Sequence, residues 1–178
     1  MAIMDFKKII ETVEASETFA DWKKEHSKAH LCHAFIMTDN KGNGEWQIGY
    51  YIPDKDRIST AIIDNVAVSI KESDEVFKKP DDKVGEVELS KVKLGYDGAL
   101  KKATELREKD YKQEIVMKTI AVLQNLKDFG LVWNITFITM QFNTLNFKIA
   151  ADSGEIKHTE IKNIMKDMAT FQKGERKH

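Results

Sequence analysis

The sequence predicts an α+β fold, an antiparallel β-sheet packed on one face by helices. Three observations carry that prediction. In residues 131–156, Trp133, Ile135 and Phe137 alternate with Asn134 and Thr136, and Leu145, Phe147, Ile149 and Ala151 alternate with Asn146, Lys148 and Ala150. Strict period-two alternation marks strands with one buried face. In residues 5–15, Phe6, Ile9, Ile10 and Val13 fall on one side of a helix, and Lys7, Lys8, Glu11 and Glu14 on the other. Finally, 178 residues with 42% hydrophobic and 32% charged content suit one soluble globular domain or two small related halves.

Asp5 is placed to cap the first helix. Ser16-Glu17-Thr18 interrupts the pattern, as a kink or as a break that re-caps a short second helix, which turns Phe19 and Trp22 inward and ends near Glu25 or His26. Residues 29–38 form the first strand, with Leu31, His33, Phe35 and Met37 on one face and Cys32, Ala34 and Ile36 on the other. Both faces are largely apolar, which predicts a central position or cover on both sides. Residues 39–44 have hairpin-loop composition, and residues 45–52 return with Trp46, Ile48, Tyr50 and Ile52 in alternation until Pro53 stops the strand. Residues 57–63 form a third strand with Ile58, Thr60 and Ile62 on one face, and residues 66–70 offer a fourth.

Residues 72–94 read as a charge-rich connector between a half at 1–71 and a half at 95–178, anchored by Val76-Phe77 and by Val87 and Leu89. Asp97 is expected to cap a helix running to about Lys109, with Leu100, Ala103 and Leu106 as its stripe. Residues 113–126 continue helical spacing through Val116, Ile120 and Leu123, with Gly130 as terminator. The hairpin of residues 131–151 follows. Asn143-Thr144 and Asp152-Ser153-Gly154 supply its turns, and residue 156 begins a further strand. Residues 159–172 predict a closing helix with a stripe of Ile161, Ile164, Met165, Met168 and Phe171, packed on the sheet, or a partner-binding helix where that Met-rich face is exposed. The predicted core sets Phe6, Ile10, Val13, Leu100, Leu106, Ile120 and Leu123 against Trp46, Ile48, Trp133, Ile135 and Phe147.

Function classes are mostly excluded rather than indicated. A formal net charge of −1 gives no global attraction to nucleic acid or to an anionic membrane. The N-terminus has no basic segment followed by an apolar run, so the expectation is a cytoplasmic chain. Cys32 is the sole cysteine, which excludes an internal disulfide, and its apolar setting predicts an inert thiol. His30-x-Cys32-His33 is the one cluster of metal-ligand types. In a strand its members split between faces, so a satisfied strand histidine is expected and no metal site. Asp39-x-Lys41-x-Asn43-Gly44 has calcium-loop spacing, but lysine stands at an oxygen position and Tyr50 at the twelfth, so a hairpin turn is expected. Gly42-x-Gly44 precedes no helix and cradles no phosphate. Asp74, Glu75, Asp81 and Asp82 lie in the connector as solvated acids. Trp46, Tyr50 and Trp133 read as core without a basic stripe beside them, and Tyr51 as the ring that faces away. No catalytic, cofactor-binding or metal residue is assigned, and no cofactor is expected.

The two halves run in the same order, helix then strands, and each has a Trp-x-Ile-x-aromatic strand: Trp46-Gln47-Ile48-Gly49-Tyr50 and Trp133-Asn134-Ile135-Thr136-Phe137. Ala99, Leu100 and Ala103, the second of these strands, and Leu145-x-Phe147-x-Ile149-x-Ala151 running into Asp152-Ser153-Gly154-Glu155-Ile156 resemble the PepSY domain. The resemblance covers about residues 95–160, with a fainter echo over 5–70. It implies a helix on an antiparallel sheet in two tandem copies, and a binding or peptidase-inhibitory role without catalytic residues. Members of that family are usually extracytoplasmic. The expected function is a non-catalytic module that binds a protein or peptide, or a second copy of itself, by an uncovered sheet face or edge. The alternative is a small-ligand carrier or enzyme with a pocket between sheet and helices.

Overall fold

The structure, a computed structural model, describes residues 5–65, 67–75 and 83–175, apart from the side chains of 73–75 and 170–175. The Asp5 carboxylate accepts the Lys7 N–H at 2.8 Å and starts α1 (Phe6–Glu14). The Ser16 hydroxyl accepts the Phe19 N–H at 3.1 Å and starts α2 (Glu17–Glu25), so the interruption read from the sequence is a break with its own cap. Four antiparallel strands follow: β1 (His30–Asp39), β2 (Gly44–Ile52), β3 (Arg57–Asp64) and β4 (Ala67–Glu75). A second helix-then-meander unit comprises α3 (Tyr96–Asp110), β5 (Val116–Leu126), β6 (Gly130–Thr139), β7 (Asn143–Ala150) and β8 (Ile156–Asn163), and α4 (Ile164–Glu175) closes the chain.

The eight strands make one sheet in the order β4-β3-β2-β1-β5-β6-β7-β8. The halves therefore meet along β1 and β5, which pair antiparallel from His33–Gln124 to Asp39–Lys118. On one face α1 lies over β2 and β3, α2 over β4, and α3 over β6 and β7. Phe6, Ile10, Val13, Ile36, Ile48, Leu123, Trp133, Ile135 and Phe147 are buried there in a single cluster. Each such side chain contributes about 1.5–3 kcal/mol on burial, enough to hold the unit without a disulfide. Phe6, Trp46, Tyr96 and Trp133 form its centre, every ring within 5.2–6.2 Å of its neighbours, and Trp133 Nε1 donates to the Leu94 carbonyl at 2.9 Å.

Several sequence expectations are corrected. Residues 116–126 are strand β5 and not helix. Val116, Ile120 and Leu123 fit helical spacing, yet Thr119, Ala121 and Leu123 also alternate, and a slot between β1 and β6 decides for the strand. Ile120 consequently leaves the predicted core, and Gly130 is no helix terminator but the positive-φ residue (73°) that opens β6. Residues 159–163 belong to β8, so the closing helix starts at Ile164. Ile161, Met165 and Met168 stand exposed rather than packed. Gly95, not Asp97, caps α3, and Asp97 sits in the first turn, where its charge suits the helix dipole. Tyr96, Ala99 and Ala103 are its buried residues, with Leu100 and Leu106 at the margin. The connector is shorter than expected, because β4 extends to Glu75. Val87 is docked, its N–H donating to the Leu31 carbonyl at 2.8 Å, while Val76-Phe77 lies outside the described residues.

Candidate functional site

The site that the fold leaves available is the second face of the sheet, which the three helices α1–α3 do not cover. Residues paired across strands share a face. Phe35 pairs with Val122 and Met37 with Ile120 across the seam between the halves, and Ile138 pairs with Lys118 beside them. None of these apolar side chains belongs to the helix-covered cluster; Phe35, Ile120, Val122 and Ile138 are half-buried, and Met37 is 41% exposed. Around this apolar band runs a polar field. The Asn146 amide donates to Asn134 Oδ1 at 2.6 Å and to Thr136 Oγ1 at 2.9 Å, and Lys148 Nζ donates to Asn146 Oδ1 at 2.7 Å. Partial burial lowers the Lys148 pKa, and its ammonium stands 5.3 Å from the Phe129 ring centre. Outermost, on β8, Glu160 lies 3.3 Å from Lys162 and 3.7 Å from His158. The bond from Lys162 holds the Glu160 carboxyl below its ordinary range.

A β-bulge between Leu31 and His33 determines what faces this surface at its N-terminal end. It carries Leu31 into the helix-covered core with Ala34 and Ile36, against the sequence assignment of Leu31 to the face of His33, Phe35 and Met37. The His33 ring then lies flat on the backbone of Gly49, and a β-carbon there would come within 2.2 Å of the imidazole. Burial lowers the His33 pKa from 6.5. Cys32 sits inside the bulge with Sγ 3.5 Å from His33 Nδ1, and burial pushes its thiol up to about 12, so it is protonated and inert. His30 pairs with Tyr51 on the same open face, the two rings tilted and 5.5 Å apart.

The remaining sequence candidates fall elsewhere. The Asp39 carboxylate is filled by its own loop: Oδ1 accepts the Lys41 and Asn43 N–H groups at 2.9 Å each, and Oδ2 accepts the Asn43 amide at 3.1 Å. These bonds, the Asn43 backbone first, depress its pKa, and they describe a hairpin turn rather than a cation loop. Trp46, Tyr50 and Trp133 are core. Tyr50 donates to Glu14 at 3.1 Å, and Tyr51, whose hydroxyl bonds to Asp56, is raised to about 12 chiefly by that bond. Asp74 and Glu75 end β4, and Asp81 and Asp82 lie outside the described residues. Among the described residues no three His, Cys, Asp or Glu side chains gather as a metal site, and no helix is long and apolar enough to cross a membrane. Sequence reasoning missed Ile120 and Val122 as surface because β5 was read as helix. The signal available was the strand pairing demanded by a two-sided apolar β1.

No protein-family model matches the chain, and no curated protein matches it. A crystal structure from Clostridium difficile 630, described as a "putative lipoprotein", is similar in fold, with TM-score 0.55 and 13% identity over 89% of this chain and 93% of that one. The mixed antiparallel architecture is thus shared with a solved protein. The expectation of a cytoplasmic chain is corrected here, because the structure that shares the fold is described as that of a lipoprotein. That expectation rested on the lack of an export signal, and the start of a sequence does not fix where its folded domain works.

Proposed function

We propose that the chain is a non-catalytic module that binds a protein or peptide on the open face of its sheet, built from two PepSY-like halves. One observation carries the reading: the band of Phe35, Met37, Ile120, Val122 and Ile138 is apolar, central and, among the described residues, without a helix over it. An uncovered apolar patch rimmed by polar side chains is the usual mark of an interaction surface. The β8 edge fits less well as a docking strand, because it presents Lys157, His158, Glu160 and Lys162, the charges that blunt a sheet edge. Support for the tandem halves comes from matching places in the core. Phe6 and Tyr96 each begin the first helix of their half, and Trp46 and Trp133 lie on the second strand of each. A closed helix–sheet interface disfavours the pocket alternative: Val13, Ile36, Ile48, Leu123 and Ile135 have no exposure. Cavities of about 340 and 430 Å³ lie at the margin, near His26 and Arg57 and near Phe19 and Val87. A peptidase is the partner class that the PepSY likeness suggests.

The test is capture from native extract by the wild type and by Phe35→Lys/Val122→Lys. Both side chains are half-exposed, so the variant should keep the wild-type circular dichroism. A partner held by the wild type should be lost from the variant and retained by Lys101→Glu on the helix side. A partner indifferent to Phe35 and Val122 removes this face from the account.

A further inference from the structure

Six of the nine large apolar side chains exposed among the described residues gather at one end of the second half: Ile115, Met117, Met140, Phe142, Met165 and Met168. They come from three segments that backbone bonds lace together. Met140 N–H donates to the Ile115 carbonyl at 2.9 Å, and Ile164 N–H to the Phe142 carbonyl at 2.8 Å. Polar side chains of these segments brace the backbone between them. Gln141 accepts the Ile115 N–H at 3.0 Å and donates to the Gln113 carbonyl at 2.9 Å. The buried Glu114 carboxylate takes the Thr139 hydroxyl at 2.6 Å and the Asn143 amide at 2.8 Å. The apolar side chains are left pointing at water, the reverse of an ordinary turn. Phe142 is 60% exposed and held at φ 59°, a conformation that bulky residues rarely adopt.

Charge indicates what covers this end. The exposed charged side chains of the same segments are Lys112, Lys118, Lys162 and Lys166 against Asp110 and Asp167, with Glu160 3.3 Å from Lys162, in a chain whose formal net charge is −1. Lysines therefore outnumber acids around the apolar tips, although the whole-chain value gave no reason to expect a membrane. A two-fold contact with a second copy would bring two such lysine-rimmed surfaces together. We propose that this end of the sheet docks on an anionic phospholipid bilayer. Met140, Phe142 and Met168 enter the interface, and Lys118, Lys162 and Lys166 meet the headgroup phosphates. The apolar tips lie beyond the end of the open face, whose border Lys118 and Lys162 form, and the proposal does not depend on the reading given for that face.

Flotation of the full chain tests this with phosphatidylcholine vesicles and with vesicles containing about 30% phosphatidylglycerol. Recovery on the anionic vesicles should exceed that on the neutral ones by about tenfold and fall at high salt. Met140→Gln/Phe142→Asn/Met168→Gln should lower it by about tenfold with the fold intact, because asparagine suits the left-handed turn. Lys118→Glu/Lys162→Glu should abolish the preference for anionic lipid. Equal recovery on both vesicles, or binding untouched by the triple substitution, overturns the proposal. So does a solution dimer that the triple substitution splits, which would assign the surface to a second copy.

Discussion

The turn between the second and third strands is built twice, once in each half, and the two versions differ in a telling way. In the first half it is Pro53-Asp54-Lys55-Asp56, all exposed and nearly all polar. In the second it is Met140-Gln141-Phe142, with Met140 57% and Phe142 60% exposed. Each ends on a left-handed residue, Asp56 at φ 48° and Phe142 at φ 59°. Asp56 suits that backbone, since a short polar side chain tolerates it, and its carboxylate also receives the Tyr51 hydroxyl. Phe142 has no such compensation. The backbone requirement is the same, so folding accounts for aspartate in one turn and does not account for phenylalanine in the other.

The largest expected effect asks whether the halves can be compared as separate bodies at all. Trp46 and Trp133 stand in matching strands and touch each other at 6.2 Å through a shared core. Trp46→Ala and Trp133→Ala should each cost about 3–5 kcal/mol in urea unfolding. Each should leave a single transition, because Phe6 and Tyr96 lean on both rings. A melt of Trp46→Ala that splits in two, with the second half surviving, would show the halves to be thermodynamically separate.

A middle-sized effect sharpens the comparison on the open face. Aligned from their tryptophans, Gly49 in the first half corresponds to Thr136 in the second. Thr136 has room for its hydroxyl to meet Asn146, whereas a β-carbon at Gly49 would lie 2.2–2.5 Å from three atoms of the His33 ring. Gly49→Thr should therefore destabilise by about 1–3 kcal/mol despite the better strand propensity of threonine. Adding His33→Ala should recover most of the loss. If Gly49→Thr is neutral alone, the imidazole moves aside freely and the bulge at Cys32 does not fix it.

These elements also show what was legible beforehand. The β6–β7 hairpin and β2 were readable because one face is buried and the other wet, so Trp133, Ile135 and Phe137 alternate cleanly. The α1–α2 break was readable because Ser16 is a cap by chemistry alone. β5 was not, because a central strand with Ile120 and Val122 on its open face loses the polar half of the alternation and then matches a helix equally well. Leu31 was assigned to the wrong face because a bulge adds a residue without leaving a mark in residue type. The open face itself was legible only as an expectation that one side would lack helices. Its composition depended on β5 and so could not be read.

The smallest effect bears on the turns directly. Exchanging the chemistry of the two left-handed positions should move stability in opposite directions. Phe142→Asn should stabilise by about 0.5–1 kcal/mol, since asparagine accepts positive φ and little packing is lost from a ring 60% exposed. Asp56→Phe should destabilise by about 1 kcal/mol, by forcing a bulky residue into the same backbone and removing the acceptor of the Tyr51 hydroxyl. Thermal melts of both variants beside the wild type give the comparison. If Phe142→Asn instead costs stability, the phenylalanine ring is packing against its own chain, and the difference between the turns is a matter of folding after all. A gain would mean that the chain retains a destabilising residue at an exposed tip, which natural sequences keep where the tip has something to touch.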